Sequence, residues 1–233
     1  MMEKLYEGKA KLVYKTDKDD EIIIRYKDDA TAGNGEKKAT IQGKGALNLA
    51  ITTRIFEMLE ENGVHTHYIE TLNDTDMRAK KVEIFPLEVI IRNISAGSFA
   101  KRYGVEEGIV FKEPTFELSY KNDDLGDPLM NEDHAVALGL VTRDQYDQIK
   151  KTTLKINDLL KDFFHGIGVT LVDFKIEFGK DKDGNILLAD EISPDTCRLW
   201  DEKTKEKLDK DIFRRDLGNL TEGYQKVLDR IRG

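Results

Sequence analysis

The sequence predicts an α+β protein with a small β-rich N-terminal lobe, residues 1–82, and a larger mixed α/β lobe, residues 83–233. Three observations predict it: strand-like segments cluster before residue 95, helical periodicities interleave with strands after it, and Leu171 to Ile192 reads as a β-hairpin with one charged face. At 233 residues with 39% hydrophobic content, the chain is long enough for one large core or two modest ones.

The elements follow in order. Leu5 to Tyr14 and Glu21 to Tyr26 read as a hairpin around the polar Thr16-Asp20 turn, with Ile22, Ile23 and Ile24 supplying β propensity. From Lys44 to Glu61 the residues Leu47, Ile51, Ile55, Met58 and Leu59 recur at helical spacing, and Gly63 stands where a C-terminal cap belongs. Tyr68 to Leu72 and Val82 to Arg92 are expected strands, and Asn122 to Pro128 has loop chemistry. Amphipathic helices are expected over Arg143 to His165 and Lys210 to Ile231.

Composition narrows the functions. A formal charge of −8 argues against nucleic acid or an anionic membrane as the main partner, since both reward a basic surface. No segment approaches the roughly 20 apolar residues of a bilayer span, and the N-terminus lacks an apolar signal region. The single cysteine, Cys197, forms no intramolecular disulfide and suits a reducing compartment, so a cytoplasmic location is expected. His65 and His67 form an H-x-H pair with nothing nearby to complete a metal site, and they read as ordinary strand residues.

The hairpin carries the strongest chemical signal. Asp173, Lys175 and Glu177 alternate with Val172, Phe174, Ile176 and Phe178, giving a charged face and an apolar one. If Asp183-Gly184 forms a two-residue type I′ turn, Glu177 lies directly opposite Asp190. Opposed carboxylates about 5 Å apart repel unless neutralised. Mg²⁺ is usually held by one or two such carboxylates with waters and substrate phosphates. A solvent-facing hairpin whose charges serve solubility is the alternative, weakened by the apolar return strand Leu187, Leu188, Ala189 and Ile192.

Three further cues surround it. In Tyr6 to Tyr14, Lys9 and Lys11 are two apart on an expected strand, so both ammonium groups would face one way beside Gly8; alternating lysines also protect edge strands from aggregation. In Pro86 to Gly104 a strand ends at Arg92, and Ser98 opens a short helix closed by Gly104, where an anion would meet the Ser98 hydroxyl and Arg92. An ordinary N-cap with a surface arginine fits that segment equally. Finally, Asp195 and Arg198 follow Pro194 just beyond the proposed metal carboxylates, and strand ends are where sites collect.

IFPLEVIIRNISAGS (Ile84 to Ser98) and LVDFKIEFG (Leu171 to Gly179) closely resemble the two diagnostic segments of the phosphoribosylaminoimidazole-succinocarboxamide synthase (SAICAR synthetase) family. GKAK near the N-terminus, DDATAGNG (Asp28 to Gly35), KNDDLGDPLMNEDH (Lys121 to His134) and DEISPDTCRLWD (Asp190 to Asp201) agree in the same order over nearly the whole chain. The resemblance implies a two-lobed fold related to ATP-grasp and kinase architectures. It also implies an ATP-dependent ligase of purine biosynthesis joining L-aspartate to the carboxylate of the nucleotide CAIR through an acyl phosphate.

By the same resemblance, Gly8, Lys9, Ala10 and Lys11 cover the ATP phosphates, and Glu177 and Asp190 hold Mg²⁺. Lys11, Lys175 and Asp173 face the reacting groups, with Asp173 or Asp127 the expected general base. Arg92, Ser98 and Arg198 meet the substrate phosphate or carboxylates, and Lys81, Lys121, Asp127 and Asp195 make the remaining polar contacts. Such chemistry needs positioning and charge neutralisation rather than a protein nucleophile. Asn34 departs from the aspartate that some members carry in its loop. A homodimer is expected for a small cytosolic enzyme. The residue pattern alone also accommodates a kinase-like phosphotransferase or a nucleotide-binding module without turnover.

Overall fold

Backbone pairing and side-chain burial were read from a computed structural model, which describes residues 2–233; the side chain of Asn34, and with it the expectation attached to that position, lies outside the described residues. The first half comprises β1 (Lys4–Glu7), β2 (Lys11–Lys15), β3 (Glu21–Tyr26), the short ribbon β4 (Asp29–Ala32) and β5 (Lys37–Thr40), α1 (Lys44–Glu61), β6 (Tyr68–Thr71) and β7 (Asp76–Lys80). The second comprises β8 (Glu83–Ile84), β9 (Leu87–Ile94), α2 (Gly97–Tyr103), β10 (Val110–Tyr120), β11 (Leu129–Met130), α3 (Glu132–Ala137) and α4 (Arg143–Gly166). It ends with β12 (Val169–Lys180), β13 (Ile186–Ala189), β14 (Cys197–Asp201), α5 (Asp211–Arg214) and α6 (Leu220–Arg232).

An antiparallel five-stranded sheet of order β1-β2-β3-β7-β6 occupies the first half, and a sheet of order β11-β10-β9-β12-β13 the second. One hydrophobic cluster runs through both, from Ile24 and Met77 to Ile176 and Leu228. α1 begins and ends where its periodicity requires, burying Leu49, Ile55, Phe56 and Leu59. Gly63, at φ 74°, closes its end by donating its N–H to Glu60 O. α4 buries Tyr146, Ile149, Thr153, Ile156, Leu160 and Phe164 at three- and four-residue intervals.

Several boundaries differ from expectation. Leu5 to Tyr14 is not one strand but a hairpin, because the chain turns at Gly8, whose N–H donates to Lys11 O. Val82 to Arg92 is interrupted at Pro86, which has no N–H to give to a ladder, and resumes as β9. The expected helix from Lys210 to Ile231 splits into α5 and α6 where Asp216 (φ 54°) and Gly218 (φ 140°) leave helical geometry. β7, β10 and β14 are additional to the expected strands, although Asp76 to Lys80 and Phe116 to Tyr120 alternate polar and apolar residues.

β12 is the hub, pairing with β8, β9, β13 and β14. Its register against β14 shifts between Leu171 and Asp173. This bulge changes the phase of the strand. Leu171 on one side of it, and Phe174, Ile176 and Phe178 on the other, all reach the main core. Val172 does not join them as expected; it packs with Ile94, Ala96 and Trp200. The phase change thereby aims Asp173, Lys175 and Glu177 away from the main core.

The hairpin register also differs by one residue, for Glu177 pairs with Ala189, not Asp190. Asp183-Gly184 is not a two-residue turn. The Asp181 carboxylate accepts the N–H groups of Asp183 (2.9 Å) and Asn185 (2.8 Å), and Gly184, at φ 83°, donates its N–H to Asp181 O. The result is a three-residue loop with glycine in the left-handed position. Such a slip would ordinarily move Asp190 to the opposite face. Asp190 instead leaves the strand at φ 59°, and its carboxylate comes to lie beside Lys175 on the Glu177 side.

Candidate active site

The charged face of β12 forms the floor of two adjoining cavities of about 440 and 380 Å³ that share Glu88, Lys175, Asp195 and Thr196. The larger is roofed by the turn between β1 and β2, with Gly8, Lys9, Ala10 and Lys11, and walled by Val13, Ile22, Ile24, Val82 and Ile84. It has an apolar wall suited to a flat ring and a charged end suited to phosphates. The smaller is lined by Arg92, Ser98, Asp173, Arg198 and Arg214.

At the charged end, Lys175 Nζ bridges Glu177 Oε1 (2.9 Å) and Asp190 Oδ2 (3.2 Å). Lys11 Nζ pairs with Asp190 Oδ1 and lies 2.5 Å from Glu191 Oε2, while Lys121 Nζ donates to Glu177 Oε2 at 2.6 Å. Burial works against charge on Lys11 and Lys175, but Asp190 with Glu191 around the first, and Glu177 with Asp190 around the second, hold both pKa values above the usual lysine range. Burial likewise opposes ionisation of Asp190, and Lys11 and Lys175 overcome it, holding Asp190 well below the usual carboxylate range. Both lysines are therefore cations and neither is a base at neutral pH.

Lys9 and Lys11 do not point the same way. Lys9 sits in the turn and reaches Asp123 Oδ1 at 2.6 Å, whereas Lys11 turns inward. Both still line the larger cavity, as do Lys121 and Asp127. Asp127, at φ 48°, uses Oδ1 to accept the Asn122 N–H at 2.8 Å.

In the smaller cavity, Asp173 lies between Arg92 Nη1 (3.0 Å) and Arg198 Nη1 (3.0 Å). Burial raises its carboxyl pKa, against the opposing pull of Arg198 and Arg92. Two guanidinium groups thus engage the Asp173 carboxylate. Arg92 also grips Glu117 Oε1 (2.8 Å) and donates to Ser98 Oγ (3.1 Å). Arg198 donates Nε to Asp211 Oδ2 at 3.0 Å and packs over Gly97, where a Cβ would collide with its guanidinium. Ser98 stands in the first turn of α2, which ends at Gly104 in left-handed conformation.

Lys81 stands apart from the others, lining a surface cavity with Asp19 and Asp20 rather than either compartment. Other residues escaped the sequence reading. Lys44, at the start of α1, is 1% exposed and donates to Asp195 Oδ2 at 2.6 Å, while the Tyr224 hydroxyl of α6 donates to Asp195 Oδ1 at 2.5 Å. Arg214 and Glu88 line the cavities, and Glu191 is buried against Lys11 and the Ser193 hydroxyl. Lys44 and Tyr224 occupy helical positions whose spacing gives no hint of a partner more than a hundred or about thirty residues away, respectively.

His65 is exposed and His67 is buried, with burial pushing the His67 pKa down to about 4. Among the described residues no group of three His, Cys, Asp or Glu side chains is arranged to hold a metal. Cys197 is buried, and burial pushes its thiol pKa up, which disqualifies it as a thiolate nucleophile. Among the described residues no helix is long and apolar enough to cross a membrane.

Comparison with known proteins identifies the family and the fold. The model of the family described as SAICAR synthetase matches residues 4–231. A phosphoribosylaminoimidazole-succinocarboxamide synthase from Finegoldia magna is 77% identical over 232 residues, covering 100% of both chains. The crystal structure of the corresponding synthase from Ehrlichia chaffeensis has a TM-score of 0.97 at 45% identity, covering 99% of this chain and 98% of the other. A SAICAR synthetase in complex with ADP has a TM-score of 0.94 at 50% identity, covering 97% and 96%. The chain belongs to the SAICAR synthetase family.

Proposed function

We propose that the two cavities are one active site in which ATP activates the carboxylate of CAIR and L-aspartate then captures it, giving SAICAR, ADP and phosphate. The chain is an ATP-dependent ligase of purine biosynthesis. The observation that carries the site assignment is Lys175, a permanent cation on the seam between a compartment suited to a nucleotide and one lined by arginines.

In this reading residues 1–82 form the lobe that covers the nucleotide and residues 83–233 the lobe that carries the substrate. Gly8, Lys9 and Ala10 lie over the phosphate tail, and Lys11 and Lys175 neutralise the phosphoryl group as it moves. Ser98, Arg198 and Arg214 take the phosphate of CAIR. Arg198 is suited to this because its Nη2 is uncommitted among the described hydrogen bonds.

The residues present fit Mg²⁺. Glu177 and Asp190 face one cavity and are bridged by a lysine, with the buried Glu191 carboxylate beside them paired to Lys11. Two carboxylates completed by phosphate oxygens and water are an ordinary magnesium set. When bound, the ion supplies neutralisation of the phosphate charge, and Glu177 and Asp190 would hold it. A homodimer in the cytoplasm is the proposed assembly and location; the lone buried cysteine suits a reducing compartment.

The test is ADP release with Mg-ATP and CAIR, measured with and without L-aspartate. Release coupled to aspartate is the expected result. Release indifferent to aspartate would make the protein a phosphotransferase or ATPase, and no release would make it a binding module.

A further inference from the structure

L-Aspartate reaches the site as an ammonium, and its nitrogen attacks an acyl group only after losing a proton. The question is which carboxylate at the seam is free to take it. Asp173 is held by Arg92 and Arg198, Asp190 by Lys11 and Lys175, and Glu177 by Lys121 and Lys175. Asp195 is held by Lys44 and Tyr224, Glu191 by Ser193 and Lys11, and Asp127, which of the two cavities lines only the larger, by the Asn122 N–H.

Glu88 differs from all of these. It projects from β9, lines both cavities, and its carboxylate accepts no hydrogen bond among the described residues. Its nearest cation is Lys175 Nζ, 3.6 Å from Oε1, beyond hydrogen-bond reach, and its side chain is 23% exposed to the cavity. The β9–β12 register opposes Arg92 to Asp173 and Ile90 to Lys175, which sets Glu88 level with Glu177 on the reacting face.

The geometry points to Glu88 as the catalytic base that binds the ammonium of L-aspartate and removes its proton, an inference that rests on the ligase reading above. One ammonium proton passes to the Glu88 carboxylate. The freed lone pair forms the C–N bond to the acyl carbon, the C–O bond to phosphate breaks with its electron pair, and the departing phosphate takes the second nitrogen proton.

The test compares L-aspartate with hydroxylamine as nucleophile in the Glu88→Gln chain supplied with Mg-ATP and CAIR. Hydroxylamine is neutral at neutral pH and needs no base. Aspartate turnover is expected to fall by about 10²–10⁴-fold, the usual contribution of a general base, while hydroxamate formation falls far less. The ratio of hydroxylamine to aspartate rates therefore rises at least about 10-fold, approaching the full aspartate loss of about 10²–10⁴-fold where hydroxamate formation is unchanged. Equal loss with both nucleophiles, unchanged aspartate turnover, or a raised KM for CAIR with the ratio unmoved would each overturn the assignment.

Thermal melting and ADP titration check that the variant is folded. Should it not fold, Glu88→Asp keeps a carboxylate with shorter reach and is expected to shift the same ratio in the same direction; an unmoved ratio there counts against Glu88. Failure of the ligase reading is seen separately, as wild-type ADP release that ignores aspartate.

Discussion

Asp190→Asn is expected to lower ATP-dependent turnover at least about 10²-fold, the scale of losing one preorganised electrostatic contact in an active site, with the fold intact. The backbone at Asp190 is left-handed (φ 59°), and asparagine is among the few residues that accept that conformation. Neither lysine is stranded by the change, for Lys11 retains Glu191 and Lys175 retains Glu177. What disappears is one negative charge facing the nucleotide cavity. Steady-state ADP release and a melting curve on the same preparation check this; normal turnover in the variant would remove Asp190 from the site.

Lys44→Met is expected to cost stability first. Lys44 and Asp195 are 1% and 6% exposed, and removing one partner of a buried ion pair typically costs about 3–5 kcal/mol because the other charge remains buried. For a chain of this length each kcal/mol lowers Tm by about 2–4 °C. The pair ties α1 to the loop after Pro194, and the Tyr224 hydroxyl adds α6, so loosening is expected to reach Asp195 and Thr196 on the wall of both cavities.

The loss depends on pH. Burial opposes ionisation of Asp195, but Lys44 and Lys210 overcome it and lower its pKa in the folded state. The ionised pair therefore stabilises fully above the unfolded carboxyl value of about 3.9 and ceases to do so as pH falls through the folded value. The gap in Tm between wild type and variant should accordingly narrow in acid. A gap that is small at neutral pH, or constant throughout, would contradict the assignment of a buried pair.

The parts of the fold legible in the sequence were those with strong local periodicity. α1 and α4 followed from apolar spacing, and the alternation Asp173, Lys175, Glu177 against Phe174, Ile176 and Phe178 gave the charged face of β12. What was lost depends on single residues that interrupt a pattern. Gly8, Pro86 and Gly218 broke expected elements, and the bulge beside Val172 changed the phase of a strand whose sequence alternates cleanly.

The two-residue turn that predicts Glu177 opposite Asp190 differs from the observed register by one residue. Two departures from regular geometry, the Asp181 loop and the positive φ of Asp190, offset each other, and neither was visible in the pattern. Within the site, motif residues such as Lys11, Arg92 and Arg198 could be located, while Lys44, Tyr224 and Glu88 acquire meaning only from partners brought together by the fold.

The role proposed for Glu177 and Asp190 is to hold a divalent cation against the phosphates of a nucleotide. The most direct measurement is calorimetric titration of ADP with and without Mg²⁺, on the wild type and on the Glu177→Gln/Asp190→Asn double variant. Mg²⁺ is expected to lower the Kd for ADP in the wild type and to leave it unaltered in the double variant. An equal magnesium effect in both proteins would contradict the account.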